Sequence, residues 1–501
     1  MNPKVYNKIY PKRGIPFSIQ DYPLSVRELW DQKCRNVDEI IAGLPGNFSF
    51  ATSFLGAQAR GFLRALSKRQ NFESIEFFAS FFLEPYEFLQ WPQSKYRTFY
   101  FGPVERLLNN TLKKTVHFVP KQYTQVDRAI LHYAPQYYIH TATVPNEEGY
   151  VNLGLNNASD EPYLRECVRD PNRKVILEIN SYTPWVPGSP DMGEHKVHLS
   201  EVDFVYENHE PLFQLPAMEP SDVEKRIAEY ACKYIKDGSV IQFGIGGIPN
   251  YIATQITSLR DIGLHTEMLS DGVIDLIEKG VITNKHKELY PGISICGFIA
   301  GTDRLYDWVD RNPLVWILPI CQVNDPRVVS KMKNFVSINA GLMIDFQGQV
   351  CSEAIGFNQY SGTGGQFEFV QGANLSPGGK SVICIKSSAM VKEKPVSNIL
   401  SHLPPGASVT VPRFFTDTVI TEHGVAEILH ESKIERTNSL IKIANPLFRE
   451  NLVEEAKKLS LWEATQGFDT ISQKVLYKSI GRLSKIKKRL SLKYWISRLL
   501  K

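Results

Sequence analysis

With 501 residues the chain exceeds what one hydrophobic core ordinarily supports, and its length admits two large α/β units or about three smaller domains. An apolar fraction of 43% and a charged fraction of 22% exclude a disordered or membrane-embedded chain. The net charge of +4 is local: residues 474–501 hold ten Lys or Arg and no acidic residue, which leaves the rest at −6 and argues against a nucleic-acid-binding surface spread over the fold.

The first residues, Met1 to Lys8, lack the apolar core of a secretory signal, and no uninterrupted apolar run approaches bilayer-spanning length, so the chain reads as cytoplasmic. Seven cysteines are scattered without a Cys-x-x-Cys pair, which points to reduced thiols and to no metal site. Cys296 and Cys384 fall in apolar strand-like runs, where cysteine behaves as a small hydrophobe.

In chain order, β-rich stretches alternate with helix-like ones, the pattern of an open α/β sheet. Strands are expected at Asn47–Thr52, Glu73–Phe78, Arg97–Phe101, Thr115–Val119, Arg128–Tyr133 and Lys174–Ile179. A composition change at residues 215–220 precedes a helix expected over Asp222–Ile235, with Ser221 as its N-cap, and marks the boundary between two units. The second unit opens with a strand, Ser239–Phe243, then the turn Gly244-Ile245-Gly246-Gly247-Ile248-Pro249 and a helix to about Ser258. A further strand, Leu264–Leu269, carries Glu267 and turns through Ser270-Asp271-Gly272 into a helix stopped by Gly280. Neighbouring parallel strands deliver their loops to one carboxyl edge, so Glu267 and the glycine turn should converge there. An echo of strand, turn and helix at residues 50–66 admits two halves of similar fold.

A carboxylate beside backbone N–H donors is the minimum machinery for attacking an activated acyl group. A second glycine cluster, Gly362-Thr363-Gly364-Gly365, follows Ile338-Asn339-Ala340-Gly341 and offers more backbone donors. Neither cluster has dinucleotide-fingerprint spacing, and no phosphate-binding loop of the nucleotide triphosphatases occurs. Glu353 is the rival carboxylate. His265 reads as structural, orienting a loop or packing. Asp345 and Glu422 read as supports for loops.

Several separated blocks resemble the acetyl-CoA hydrolase/4-hydroxybutyrate CoA-transferase family: residues 242–249, 263–273 and 359–366, with Val419 to Ala426 and Ala444 to Arg449 extending the match. The resemblance is strongest from about Asp237 to Leu452, and over the first half it rests on residues 145–150 and 200–203. It implies two open-sheet CoA-transferase-like α/β domains with the active site between them, at 41–216 and 217–473, flanked by an N-terminal extension (1–40) and a basic amphipathic tail (474–501).

The resemblance further implies that Glu267 becomes covalently bound to coenzyme A. It places oxyanion or CoA contacts at Gln242, Phe243, Gly244, Ile245, Gly246, Asn339, Gly364 and Gly365, with Lys392 where a family lysine meets CoA phosphates. The chain departs from the family pattern around Lys392 and at Ala340, Gln371 and Asn445, where serine, arginine and histidine are usual. Coenzyme A then enters as a substrate with short-chain carboxylates, no resident cofactor is needed, and a homodimer is expected. The alternatives are an acyl-CoA hydrolase that admits water to the same intermediate, and a non-catalytic CoA-binding or membrane-associated scaffold. The tail has the pattern of a helix docked on the acidic body, or frayed, in preference to one lying on a membrane.

Overall fold

The computed structural model describes residues 13–15, 17–110, 116–216, 218–244 and 246–463. The basic tail therefore lies outside the described residues, as do the first twelve residues of the N-terminal extension. Strands of the first half are β1 (Asn47–Thr52), β2 (Ser74–Phe78), β3 (Ser94–Thr98), β4 (Val116–Phe118), β5 (Tyr137–Ala142), β6 (Lys174–Ile179) and β7 (Phe204–Glu207). They form one sheet in the order β4-β3-β2-β1-β5-β6-β7, with every pairing parallel.

The second half repeats this plan with β8 (Val240–Phe243), β9 (Gly263–Leu269), β10 (Ser294–Ile299), β11 (Val315–Ile317), β12 (Phe335–Ala340), β13 (Lys380–Cys384) and β14 (Thr418–Thr421). Its order is β11-β10-β9-β8-β12-β13-β14, again parallel, and an antiparallel strand, β15 (Gly424–Glu427), covers one edge. Counted within each half, both sheets run 4-3-2-1-5-6-7. The echo at residues 50–66 was the local trace of that repeat.

The central segments of each sheet become parallel strands because they are largely apolar and are covered on both faces. All six residues of β10 are buried, Cys296 among them, and so are five of six in β6. Helix starts follow local chemistry: Ser221 caps Asp222–Cys232 through its hydroxyl, while Glu224 accepts from the Ser221 N–H at 2.8 Å.

One expected strand is a helix. Arg128–Tyr133 lies within the helix Val126–Tyr133, where Val126, Ala129 and Ile130 are buried at three- and four-residue spacing, and the neighbouring strand is Tyr137–Ala142. The strand expected at Arg97–Phe101 runs instead over Ser94–Thr98.

The halves meet along a seam of main-chain hydrogen bonds. Asn157 N–H donates to the Gly297 carbonyl at 2.9 Å, Ile299 N–H to Leu155 at 2.8 Å, and Leu215 N–H to Gly301 at 2.8 Å. An apolar cluster with members from both halves, including Leu55, Ala158, Met268, Phe298 and Ile320, fills the seam beside Glu267.

Candidate active site

In each sheet the strand order reverses once, between β1 and β5 and between β8 and β12. Such reversals open a crevice at the carboxyl ends of the strands. Both crevices feed one cavity of about 310 Å³, lined from the second half by Gln242, Gly244, Glu267, Asn339 and Gly362 to Gln366. The first half lines it with the loops after β1, β2 and β3 and with the helices that bear Val126, Ile130, Asp160 and Tyr163.

Glu267 sits in β9, half-buried between buried neighbours. Asn324 Nδ2 donates to its Oε2 at 2.6 Å and also reaches Glu368 Oε2 at 3.3 Å, so one amide serves two carboxylates. Glu368 in turn accepts from the Thr124 N–H at 2.8 Å and the Thr124 hydroxyl at 2.5 Å, a link from the second half to the first. Burial lifts the Glu267 carboxyl to about 7; Asn324 opposes this, the Glu368 charge adds to it, and the Gly365 N–H opposes it. Burial likewise raises Glu368 to about 7, against its bonds from Thr124 and Asn324. The result is a desolvated carboxylate that is more basic, and so a better nucleophile, than an exposed glutamate.

At Gly365 the nucleophile leaves no room for a side chain, and at Gly364 a positive φ disfavours one. A Cβ on Gly365 would lie 2.1 Å from Glu267 Oε2 and 2.2 Å from Asn324 Nδ2. On Gly364 (φ +50°) it would lie 3.6 Å from Glu267 Oε1. Across the crevice, Gly246 has φ +113°, and a Cβ on Gly244 or Gly246 would meet nothing within 4 Å, so that backbone faces open space. Beside it, Gln242 Oε1 accepts from the Ser337 hydroxyl at 3.0 Å and from Asn339 Nδ2 at 3.3 Å. With its oxygen occupied, buried Gln242 has its amide nitrogen left to donate.

Of the residues expected at the site, the cavity thus gathers Glu267, Gln242, Gly244, Asn339, Gly364 and Gly365. Phe243 ends β8, Gly246 precedes the helix Gly247–Gln255, and Ile245 lies outside the described residues. Lys392 is exposed at the turn of the hairpin Ser388–Val391/Lys394–Ser397, with φ +46°, and is not among the residues lining the cavity.

Glu353 accepts from the Thr410 hydroxyl at 3.1 Å and does not line the cavity, although its carbonyl holds the N–H groups of Tyr360 and Ser361 ahead of the glycines. His265 is fully buried, bonded through Nε2 to the Val323 carbonyl at 2.7 Å, and lowered to about 3 chiefly by burial. It is a neutral anchor for the segment that presents Asn324. Asp345, at the end of the strand Met343–Asp345, accepts from Gln347 and Gln349 in the turn that follows, and Glu422, in the turn after β14, accepts from Ser387.

Sequence reading did not single out Asn324, Glu368, Thr124 or the aromatic walls. For Glu368 the available signal was its place in the first turn of the helix Gln366–Leu375, directly after the glycines. Among the described residues no group of three His, Cys, Asp or Glu side chains is placed to hold a metal ion, and no helix is long and apolar enough to cross a membrane.

Residues 301–456 match the family described as acetyl-CoA hydrolase/transferase C-terminal domain. The chain is 41% identical to the 4-hydroxybutyrate coenzyme A transferase of Clostridium kluyveri over 314 residues, 63% of this chain and 70% of that protein. It is 39% identical to the succinyl-CoA:cyclohexane-1-carboxylate CoA transferase of Geobacter metallireducens over 344 residues, 68% of this chain and 76% of that one. The chain belongs to the acetyl-CoA hydrolase/CoA-transferase family. Its fold is shared with RipA from Yersinia pestis, at a TM-score of 0.79 and 30% identity, covering 87% of this chain and 99% of RipA. In this CoA-transferase-family protein Glu267, the glycine loops and the amides of Gln242 and Asn339 stand around one cavity.

Proposed function

We propose that the protein transfers coenzyme A between carboxylic acids, with Glu267 as the nucleophile. The observation that carries this reading is a half-buried, desolvated carboxylate held by Asn324 against Gly365, in a cavity that both halves line. The Glu267 carboxylate adds to the acyl-CoA carbonyl, and collapse of the tetrahedral adduct expels CoA thiolate and leaves an acyl-glutamyl anhydride. The thiolate then attacks the glutamyl carbonyl, releasing the donor acid as carboxylate and forming glutamyl-CoA. An acceptor carboxylate attacks that thioester, and the displaced thiolate takes the new acyl group, restoring Glu267. No net proton or electron is exchanged, and the thioester bond energy is kept throughout.

Each addition places negative charge on a carbonyl oxygen. The backbone N–H groups of Gly244 and Gly246, the Gln242 amide, which Asn339 and Ser337 hold in place, and the N–H groups of Gly364 and Gly365 are the donors that would meet it. Coenzyme A enters as substrate. Lys392 reaches its phosphates only if the hairpin lies along the bound nucleotide, which the Lys392→Ala effect on KM for acetyl-CoA would measure.

Mass spectrometry after incubation with acetyl-CoA should show a CoA adduct on the Glu267 peptide, absent in Glu267→Gln, and acetyl-CoA consumption should depend on an added carboxylate with ping-pong kinetics. An adduct elsewhere would overturn the nucleophile. Rapid thiol release without an acceptor would instead make the protein an acyl-CoA hydrolase using the same residue.

A further inference from the structure

The two sides of the cavity differ in chemistry. The glycine turns, Gln242 and Asn339 occupy the second-half side, whereas the bulk of the first-half side is Phe54, Phe78, Phe99, Val126, Ile130 and Tyr138, with small hydroxyl residues such as Ser53, Ser80 and Ser159 between them. The five other than Phe54 are nearly or fully buried, so they form an internal wall and not a rim. Leu55 and Phe81, which also line the cavity, are held at φ +50° and +52°, a backbone region that bulky residues seldom adopt and that marks ligand clamps.

Charge is distributed as unevenly. Among the described residues that line the cavity, the acidic ones are Glu267 and Asp160, and the single cation, Lys121, is exposed to solvent. Asp160 is buried; its Oδ1 accepts from the Tyr138 hydroxyl at 2.6 Å, and its Oδ2 has no partner. A second carboxylate carried on an acyl chain would meet aromatic rings and then this acid, with no buried cation to receive it. The whole cavity, about 310 Å³, leaves room beyond the reacting thioester for a group of benzene's size, since an engineered apolar cavity of about half that volume admits benzene.

We infer that the first-half wall is the acyl subsite and that it selects bulky, uncharged, apolar monocarboxylates, of roughly six to eight carbons with a ring or alkyl chain, over acetate and over dicarboxylates such as succinate. The inference rests on Glu267-dependent transfer and adds the acid it serves. The thioester carbonyl sits at Glu267, coenzyme A leaves along the glycine side, and the acyl group extends between Phe54, Phe99 and Ile130.

The test is acceptor kinetics of the full-length protein with acetyl-CoA as donor and acetate (followed by isotope exchange), butyrate, hexanoate, phenylacetate and succinate as acceptors. A methylene in an apolar pocket is worth about 10- to 200-fold. Hexanoate or phenylacetate should therefore exceed acetate by at least about tenfold in kcat/KM, and succinate should fall below butyrate by about a hundredfold. Ile130→Trp should lower the phenylacetate-to-acetate ratio by about tenfold, and Phe99→Ala should move the optimum to longer acids. Best use of acetate or succinate, or an unchanged ratio in both variants, would overturn the inference while leaving transfer intact. Absence of exchange with every acid, together with absence of the Glu267 adduct, would overturn the transfer reading and this inference with it.

Discussion

The two halves are built on one strand order yet finish their strands differently. After β8 the described residues are the glycines Gly244, Gly246 and Gly247; after β1, in the equivalent position, the chain runs through Ser53, Phe54 and Leu55 before Gly56. The first arrangement exposes backbone donors, and the second fills the crevice with side chains. One sheet plan therefore supplies the polar, bond-making side of a cavity in one copy and its apolar wall in the other, because the loops at the switch point set what a crevice offers and the strands set only where it lies.

Matched glycine substitutions break this comparison most sharply. Gly365→Ala puts a methyl group onto Glu267 and Asn324, and a displacement of about 1 Å at the nucleophile should lower kcat/KM by about a hundredfold. Gly56→Ala in the first half crowds Leu155 Cδ1, at 2.8 Å and at the end of a flexible side chain, and touches the Tyr306 hydroxyl at an ordinary 3.8 Å, so transfer should stay within about threefold of the parent. Equal losses in the two variants would show that the first-half crevice is no mere wall.

A smaller effect is expected from Glu368→Gln. Transfer needs ionised Glu267, so kcat/KM for acetyl-CoA should rise with pH through about 7, as an apparent value shared by the coupled pair. Removing the Glu368 charge lowers the Glu267 pKa and should move that rise to lower pH. A profile that stays in place would show that Glu368 does not set the charge of the nucleophile.

The smallest effect concerns stability. Both carboxyls are raised above their unfolded value near 4.5, so the folded protein holds more protons than the unfolded chain between about 4.5 and 7, and stability falls as pH rises across that window. Above pH 7 the full cost of ionisation is present. Glu267→Gln should then melt higher than the parent at pH 8 by about 1–3 °C and differ little at pH 4.5. The reverse ordering in calorimetry would place Glu267 in a more solvated setting.

Much of this was legible in the chain. The glycine turn after β8 and the strand of Glu267 could be read because an apolar β-run ended by Gly or Pro has few alternatives. Arg128–Tyr133 was misread as a strand because a six-residue window shows alternation as readily as helical spacing; adding Val126 reveals the buried helix face. The partners of Glu267 could not be read. Asn324 and Glu368 lie 57 and 101 positions downstream of it, and only tertiary packing brings them to one amide hydrogen-bond network. Lys392 shows the opposite case, a position assigned by resemblance that the fold carries to the tip of an exposed hairpin.

The bond from Thr124 to Glu368 makes the reactivity of Glu267 a joint property of two pieces of the chain. If the seam between the halves parts, Glu368 loses the two Thr124 donors that fix it beside Asn324, and Glu267 becomes better hydrated and so more acidic. An opened protein thus carries a blunted carboxylate, and a closed one a sharpened carboxylate. Readiness to react is coupled to enclosure of the substrate by the same two hydrogen bonds, so a thioester that has not been fully taken in meets a disarmed nucleophile.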